Sequence, residues 1–198
     1  MSKTKQIIKA AVFQPPNIFM FSDMMFENPL ESDRIKIIYM NEIGILTDDD
    51  SNYEYIGTCA IATCIALIAR CNETRITVVA HFSDCTDVQK SIPLLNELLG
   101  SATNVDVWLI GGFVGYSESL FDSLVSLLDN LSFPFNIKEV SVMRSFVCKS
   151  VAINTKTGEI YDYVRYSKDM SDLCVTYKLP IDINKFIDTD MSQFEIRY

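Results

Sequence analysis

The chain has 198 residues, of which 48% are apolar and 22% charged, and it carries a net charge of −9. That balance suits one folded domain with a sizeable core and excludes a disordered chain. Such an acidic protein is a poor partner for nucleic acid or an anionic membrane; the charge serves solubility, or a cationic ligand such as a free amino terminus.

Residues 1–34 mix apolar and turn-prone residues and read as an irregular wrap around the core. Lys3, Lys5 and Lys9 precede an apolar run, but Gln14-Pro15-Pro16-Asn17 breaks it where the core of a signal peptide would continue. RIKIIYM (34–40) alternates and is β-branched, which predicts a strand. TDDDSN (47–52) is a polar loop. ATCIALIAR (62–70) and RITVVAHFS (75–83) are dense in Ile, Val and Ala between turn signals, as in buried strands. The longest apolar region, 60–69, is far too short to cross a bilayer.

Thr86-Asp87 is placed to cap a helix running to Gly100, with apolar residues at Ile92, Leu94, Leu95, Leu98 and Leu99. VDVWLIGGF (105–113) reads as another buried strand, ending in a glycine pair. Residues 117–131 form an amphipathic helix opened by Ser117 and closed at Asn130. IKEVSVM (137–143) is a strand, and KSVAINT and EIYDYVRY make a hairpin around Lys156-Thr157-Gly158. The tail, CVTYKLPIDI, adds an edge strand. The expectation is one α+β domain over 1–198 with more strand than helix.

Six cysteines (Cys59, Cys64, Cys71, Cys85, Cys148 and Cys174) follow neither a disulfide framework nor a zinc-ribbon spacing. With a single histidine, His81, and no CxxC pair, no metal site is expected. The thiols read as reduced and the chain as intracellular.

Three of those cysteines lie within 59–71, and the strand after them carries His81. A two-residue turn at Asn72-Glu73 would pair Cys71 with Thr74, and the same register sets Cys64 directly opposite His81. Directly opposed Cβ atoms lie about 4.5–5.5 Å apart, near enough for a thiol–imidazole contact. Cys59 and Cys71 do not meet the histidine in this register, and a slip of one residue would put Cys64 and His81 on opposite faces. An imidazolium beside a thiol lowers its pKa and yields the reactive thiolate. A third polar group usually orients the imidazole, and the Thr58 hydroxyl is placed for it. Spacing alone leaves two readings open: a nucleophile with its base, or a small buried thiol beside a core histidine.

The segments I61-A-T-C-I-A-L-I-A-R, T-V-V-A-H-F-S-D-C-T-D with I-P-L-L, V-D-V-W-L-I-G-G-F and V-A-I-N-T-K-T-G-E-I-Y, taken together, resemble the protein N-terminal asparagine amidohydrolases over about residues 35–165. That family has a Thr-Cys step entering a strand and a histidine seventeen residues on; its acidic residues before the step are replaced here by Cys59-Ala60-Ile61. More distantly, the spacing of Thr58, Cys64 and His81 is similar to that of bacterial chemoreceptor glutamine deamidases. The resemblance implies a sandwich-like α+β fold of mixed sheets with flanking helices, of the cysteine-hydrolase deamidase type. It places a catalytic core at 35–165 and a C-terminal extension at 166–198. It implies Cys64 as nucleophile, His81 as general base and Thr58 as the orienting hydroxyl.

The implied reaction is hydrolysis of the side-chain amide of an N-terminal Asn to Asp, through a thioester and with no cofactor. Its partners are protein or peptide substrates in the cytoplasm or nucleus, where an N-terminal Asp marks a protein for degradation. Oxyanion donors would be the Cys64 N–H and N–H groups near Gly111 and Gly112, although strand-ending glycines usually serve the turn. Asp84 would meet the substrate α-ammonium, although Asp is also common in solvated turns. Two other readings stand beside this one: a deamidase of internal Gln or Asn in a protein partner, and a noncatalytic binding module of the same fold.

Overall fold

The computed structural model describes residues 2–6, 33–113, 115–143, 149–162 and 176–179. In chain order the strands are β1 (Ile35–Ile38), β2 (Glu42–Leu46), β3 (Tyr55–Ile61), β4 (Ile65–Cys71) and β5 (Thr77–Phe82). A 3-10 turn (Gln89–Ser91) leads into helix α1 (Ile92–Leu99), followed by β6 (Val105–Phe113) and α2 (Glu118–Asp129). Strands β7 (Phe135–Met143), β8 (Lys149–Asn154), β9 (Ile160–Asp162) and β10 (Thr176–Lys178) complete the described elements. The smaller sheet has the order β1-β3-β8-β9 and the larger β10-β2-β5-β4-β6-β7. Both contain parallel and antiparallel pairs, so the α+β sandwich with mixed sheets is the observed architecture.

Every residue of β4 and β5 is buried, because the larger sheet is covered on both faces. One face carries Ile65, Leu67, Ala69, Val78 and Ala80 into a core with Leu95, Leu99, Leu120, Phe121, Leu124 and Leu128 of the helices. The other carries Ala66, Ile68, Val79 and Ile110 against Ile38, Ile56, Val151 and Ile153 of the smaller sheet. Two-sided burial is what turns alternation into the continuous apolar runs seen in the sequence. Among the described residues no helix is long and apolar enough to cross a membrane.

Several local expectations shift. The helix expected from Thr86 begins at Ile92, because the Thr86 hydroxyl accepts the Ser83 N–H at 2.9 Å and donates to Asn41 Oδ1 at 2.6 Å. Pro93 then sits in the first turn of α1, where its missing N–H costs nothing. The Asn72-Glu73 turn is a four-residue loop closed by Cys71 N–H to Ile76 O at 2.9 Å, with Arg75 at φ 56°. The β8–β9 turn falls where expected: Asn154 Oδ1 accepts the N–H groups of Lys156 and Thr157 at 2.9 and 3.0 Å. Strand β10 pairs with β2 as an edge strand. Most of the N-terminal wrap, the remainder of the tail, Cys148 and Cys174 lie outside the described residues.

Candidate active site

Strand β3 belongs to the smaller sheet and β4 to the larger, so the bend at residues 62–64 crosses from one layer to the other. Alternation along β3 turns Ile56 and Thr58 toward the layer between the sheets and Cys59 to the outer face, beside Ile35 and Ala152. The pairing of β3 with β8 then shifts between Thr58 and Ile61, with Ala60 at φ 58°. This bulge adds one residue and resets the phase, so Ile61 also packs into the interlayer.

Thr58 and His81 are brought together. Thr58 Oγ1 lies 2.7 Å from His81 Nδ1, and both side chains are buried, at 0% and 1% exposure. His81 Nε2 is sealed from solvent and has no hydrogen-bond partner among the described residues. Two tautomers fit the Thr58 contact; the one with Nδ1–H donating to the hydroxyl leaves the Nε2 lone pair available as a base.

The expected β4–β5 register is displaced by two residues. Ala66, not Cys64, stands opposite His81, because the four-residue loop at Asn72–Arg75 moves the pairing along the strands. A displacement of two preserves the face. Cys64 lies half-buried in the bend just before β4, and continuing the β4–β5 register one residue past the strand would set it diagonal to His81. Diagonal Cβ atoms are roughly 7–8 Å apart, within reach of an imidazole. Cys71 is buried in the helix-side core, Cys59 lies on the outer face of β3, and Cys85 is half-buried in the turn after β5.

Burial lowers the His81 pKa from 6.5 to about 4, and the carboxylate of Glu42 offsets part of that. A charged imidazole loses its hydration in this layer, so the neutral form prevails at neutral pH. The expected imidazolium–thiolate pair accordingly gives way to a neutral imidazole ready to accept a proton. Glu42 was not singled out by the sequence. It is 6% exposed, receives the Tyr39 N–H at 3.0 Å, and continues the β2–β5 register next to His81. Its only sequence signal was a lone acid entering a short apolar run, EIGIL, which is also how a strand end looks.

Gly111 and Gly112 lie against the Cys64 bend. The Gly112 N–H donates to Cys64 O at 2.7 Å, so it is committed to the backbone of the bend. Both glycines have positive φ, 108° and 74°, and a Cβ on Gly111 would meet Cys64 O at 2.5 Å. Asp84 is exposed on the turn after β5, at the same end of the sheet as Cys64 and His81.

The family model for protein N-terminal asparagine amidohydrolase matches residues 27–163, a span that contains Thr58, Cys64, His81, Glu42 and the glycine pair. No curated protein matches the chain.

Proposed function

The chain belongs to the protein N-terminal asparagine amidohydrolase family, and from that membership we propose a cysteine-dependent hydrolysis of N-terminal Asn to Asp with release of ammonia. The observation that carries this reading is the 2.7 Å bond between Thr58 and His81, which orients an imidazole whose buried Nε2 lacks a partner among the described residues, close along the extended register to Cys64. Cys64 Sγ attacks the carboxamide carbon while its proton passes to His81 Nε2. The tetrahedral intermediate collapses, the C–N bond breaks, and Nε2 returns the proton to the departing amine as ammonia. Water then attacks the thioester, giving up a proton to Nε2. The C–S bond breaks, the thiol is restored and the product is a side-chain carboxylate.

In this reading the Cys64 N–H receives the developing oxyanion, and Gly111 and Gly112 shape the bend rather than contact the substrate. Asp84 meets the substrate α-ammonium from the rim, while Glu42 adjusts the basicity of His81. The substrates are proteins with a free N-terminal Asn, and the product enters the degradation route that recognises N-terminal acid in the cytoplasm or nucleus.

The test is ammonia release from peptides with free N-terminal Asn, free N-terminal Gln, acetylated Asn and internal Gln, with Cys64→Ala as control. Release from free N-terminal Asn alone, lost in the variant, is the expected result. Release from blocked or internal amides would move the chain to the internal deamidases. Undiminished release by Cys64→Ala would remove the nucleophile.

A further inference from the structure

We infer that Ser117 is a positioning residue that aims the peptide N–H of Cys64 at the oxyanion. The inference rests on Cys64 being the nucleophile. Ser117 stands at the N-cap of α2, where a serine hydroxyl normally accepts an N–H of the first turn, yet here it makes no capping bond. Fully buried, its Oγ instead accepts the Phe113 N–H at 2.9 Å and donates to Thr63 O at 2.8 Å.

Thr63 C=O and Cys64 N–H are the two ends of one planar trans peptide, so they point in opposite directions. Fixing the carbonyl fixes the N–H vector. A hydroxyl donating to that carbonyl also polarises the peptide and strengthens its N–H as a donor. The next peptide is held as well, since Cys64 O receives the Gly112 N–H at 2.7 Å. The Cα of Cys64 thus sits between two peptides, both tied at their carbonyls to the end of β6 and the start of α2.

The experiment compares Ser117→Ala and Ser117→Thr with the parent chain in three readouts. These are kcat and KM for a free N-terminal Asn peptide, and the rate of Cys64 alkylation by iodoacetamide. Alkylation displaces iodide at a saturated carbon and develops no oxyanion, so it is blind to the proposed role. Ser117→Ala is expected to lower kcat about 10- to 100-fold, with KM and alkylation within about twofold, and Ser117→Thr to recover most of the loss by restoring the hydroxyl. Should the alanine variant not fold, Ser117→Cys keeps the shape with a much weaker donor and is read the same way. An unchanged kcat overturns the inference, as does a parallel fall in kcat, alkylation and substrate affinity, which would mean a loosened bend. Activity surviving in Cys64→Ala would instead overturn the nucleophile assignment, whatever Ser117 does.

Discussion

Thr58 on the smaller sheet and His81 on the larger are joined across the interlayer by a 2.7 Å hydrogen bond. Thr58→Val keeps the shape and removes the hydroxyl, leaving the His81 Nδ1 buried without its partner. The expected loss is about 1–3 kcal/mol of stability, read as a drop in Tm of about 2–4 °C per kcal/mol for a domain of this size. Activity should fall at least tenfold, with Thr58→Ser recovering much of it. A Thr58→Val enzyme with full kcat would show that the imidazole needs no such anchor.

Stability should fall on mild acidification. The unfolded imidazole takes up a proton near 6.5 and the folded one only near 4. Between those values the unfolded chain binds more protons, so the contribution of His81 is complete above pH 6.5 and is lost as pH falls to about 4. At most it amounts to about 3 kcal/mol. Urea unfolding at a series of pH values, for the parent chain and His81→Gln, isolates it as the difference in slope. Parallel curves would count against a neutral buried histidine.

The acid limb of kcat/KM should reflect the same group. In the proposed reaction the neutral imidazole is the active form, so activity is expected to rise with pH around 4 and to be level through neutrality on that side. Glu42 raises the His81 pKa, so Glu42→Gln should move the limb to lower pH. A limb that stays in place in that variant would separate Glu42 from the base.

Gly112→Ala should harm both fold and activity. The new Cβ would meet the Phe121 ring at 2.6 Å, and φ is 74°. Left-handed strain of about 1–3 kcal/mol would add to displacement of α2, and the Cys64 bend it holds would shift. Calorimetry and peptide turnover should decline together; an unaffected variant would mean that the bend tolerates the displacement.

Asp84 tests amine recognition. Asp84→Asn keeps the size of the side chain and removes its charge, so KM for free N-terminal Asn should rise several-fold with kcat nearly kept, as for the loss of uniform binding. A lower kcat at constant KM would place Asp84 elsewhere in the reaction.

Strand β6 to the residue and the bounds of α2 to within two residues were legible, because a buried β-branched run and a long amphipathic face are strong local signals, whereas the two-layer arrangement followed only from the family resemblance. The β4–β5 register was not. Asn72-Glu73 resembles a tight turn, and only the left-handed Arg75 reveals the longer loop. The displacement is even, so on the extended register Cys64 takes a diagonal place rather than the direct opposition expected. Strands β2 and β3 were missed: Gly44, which lies against Ile38 with no room for a Cβ, interrupts the first, and Gly57, packed as closely against Val151 O, interrupts the second. Ser117 was legible as a residue at a helix start; its use on Thr63 required knowing which bend lay above it.

The seat of Thr58 depends on chain made long after it. Thr58 faces Val151 of β8 on one side and Ile38 of β1 on the other. Without β8 and β9 the smaller sheet is a two-stranded remnant, marginal by itself. A nascent polypeptide that had exposed Thr58, Cys64 and His81 would still lack a firm anchor for the imidazole until Lys149–Asn154 emerged. The anchor of the imidazole is thereby completed only by a strand made well after both Thr58 and His81.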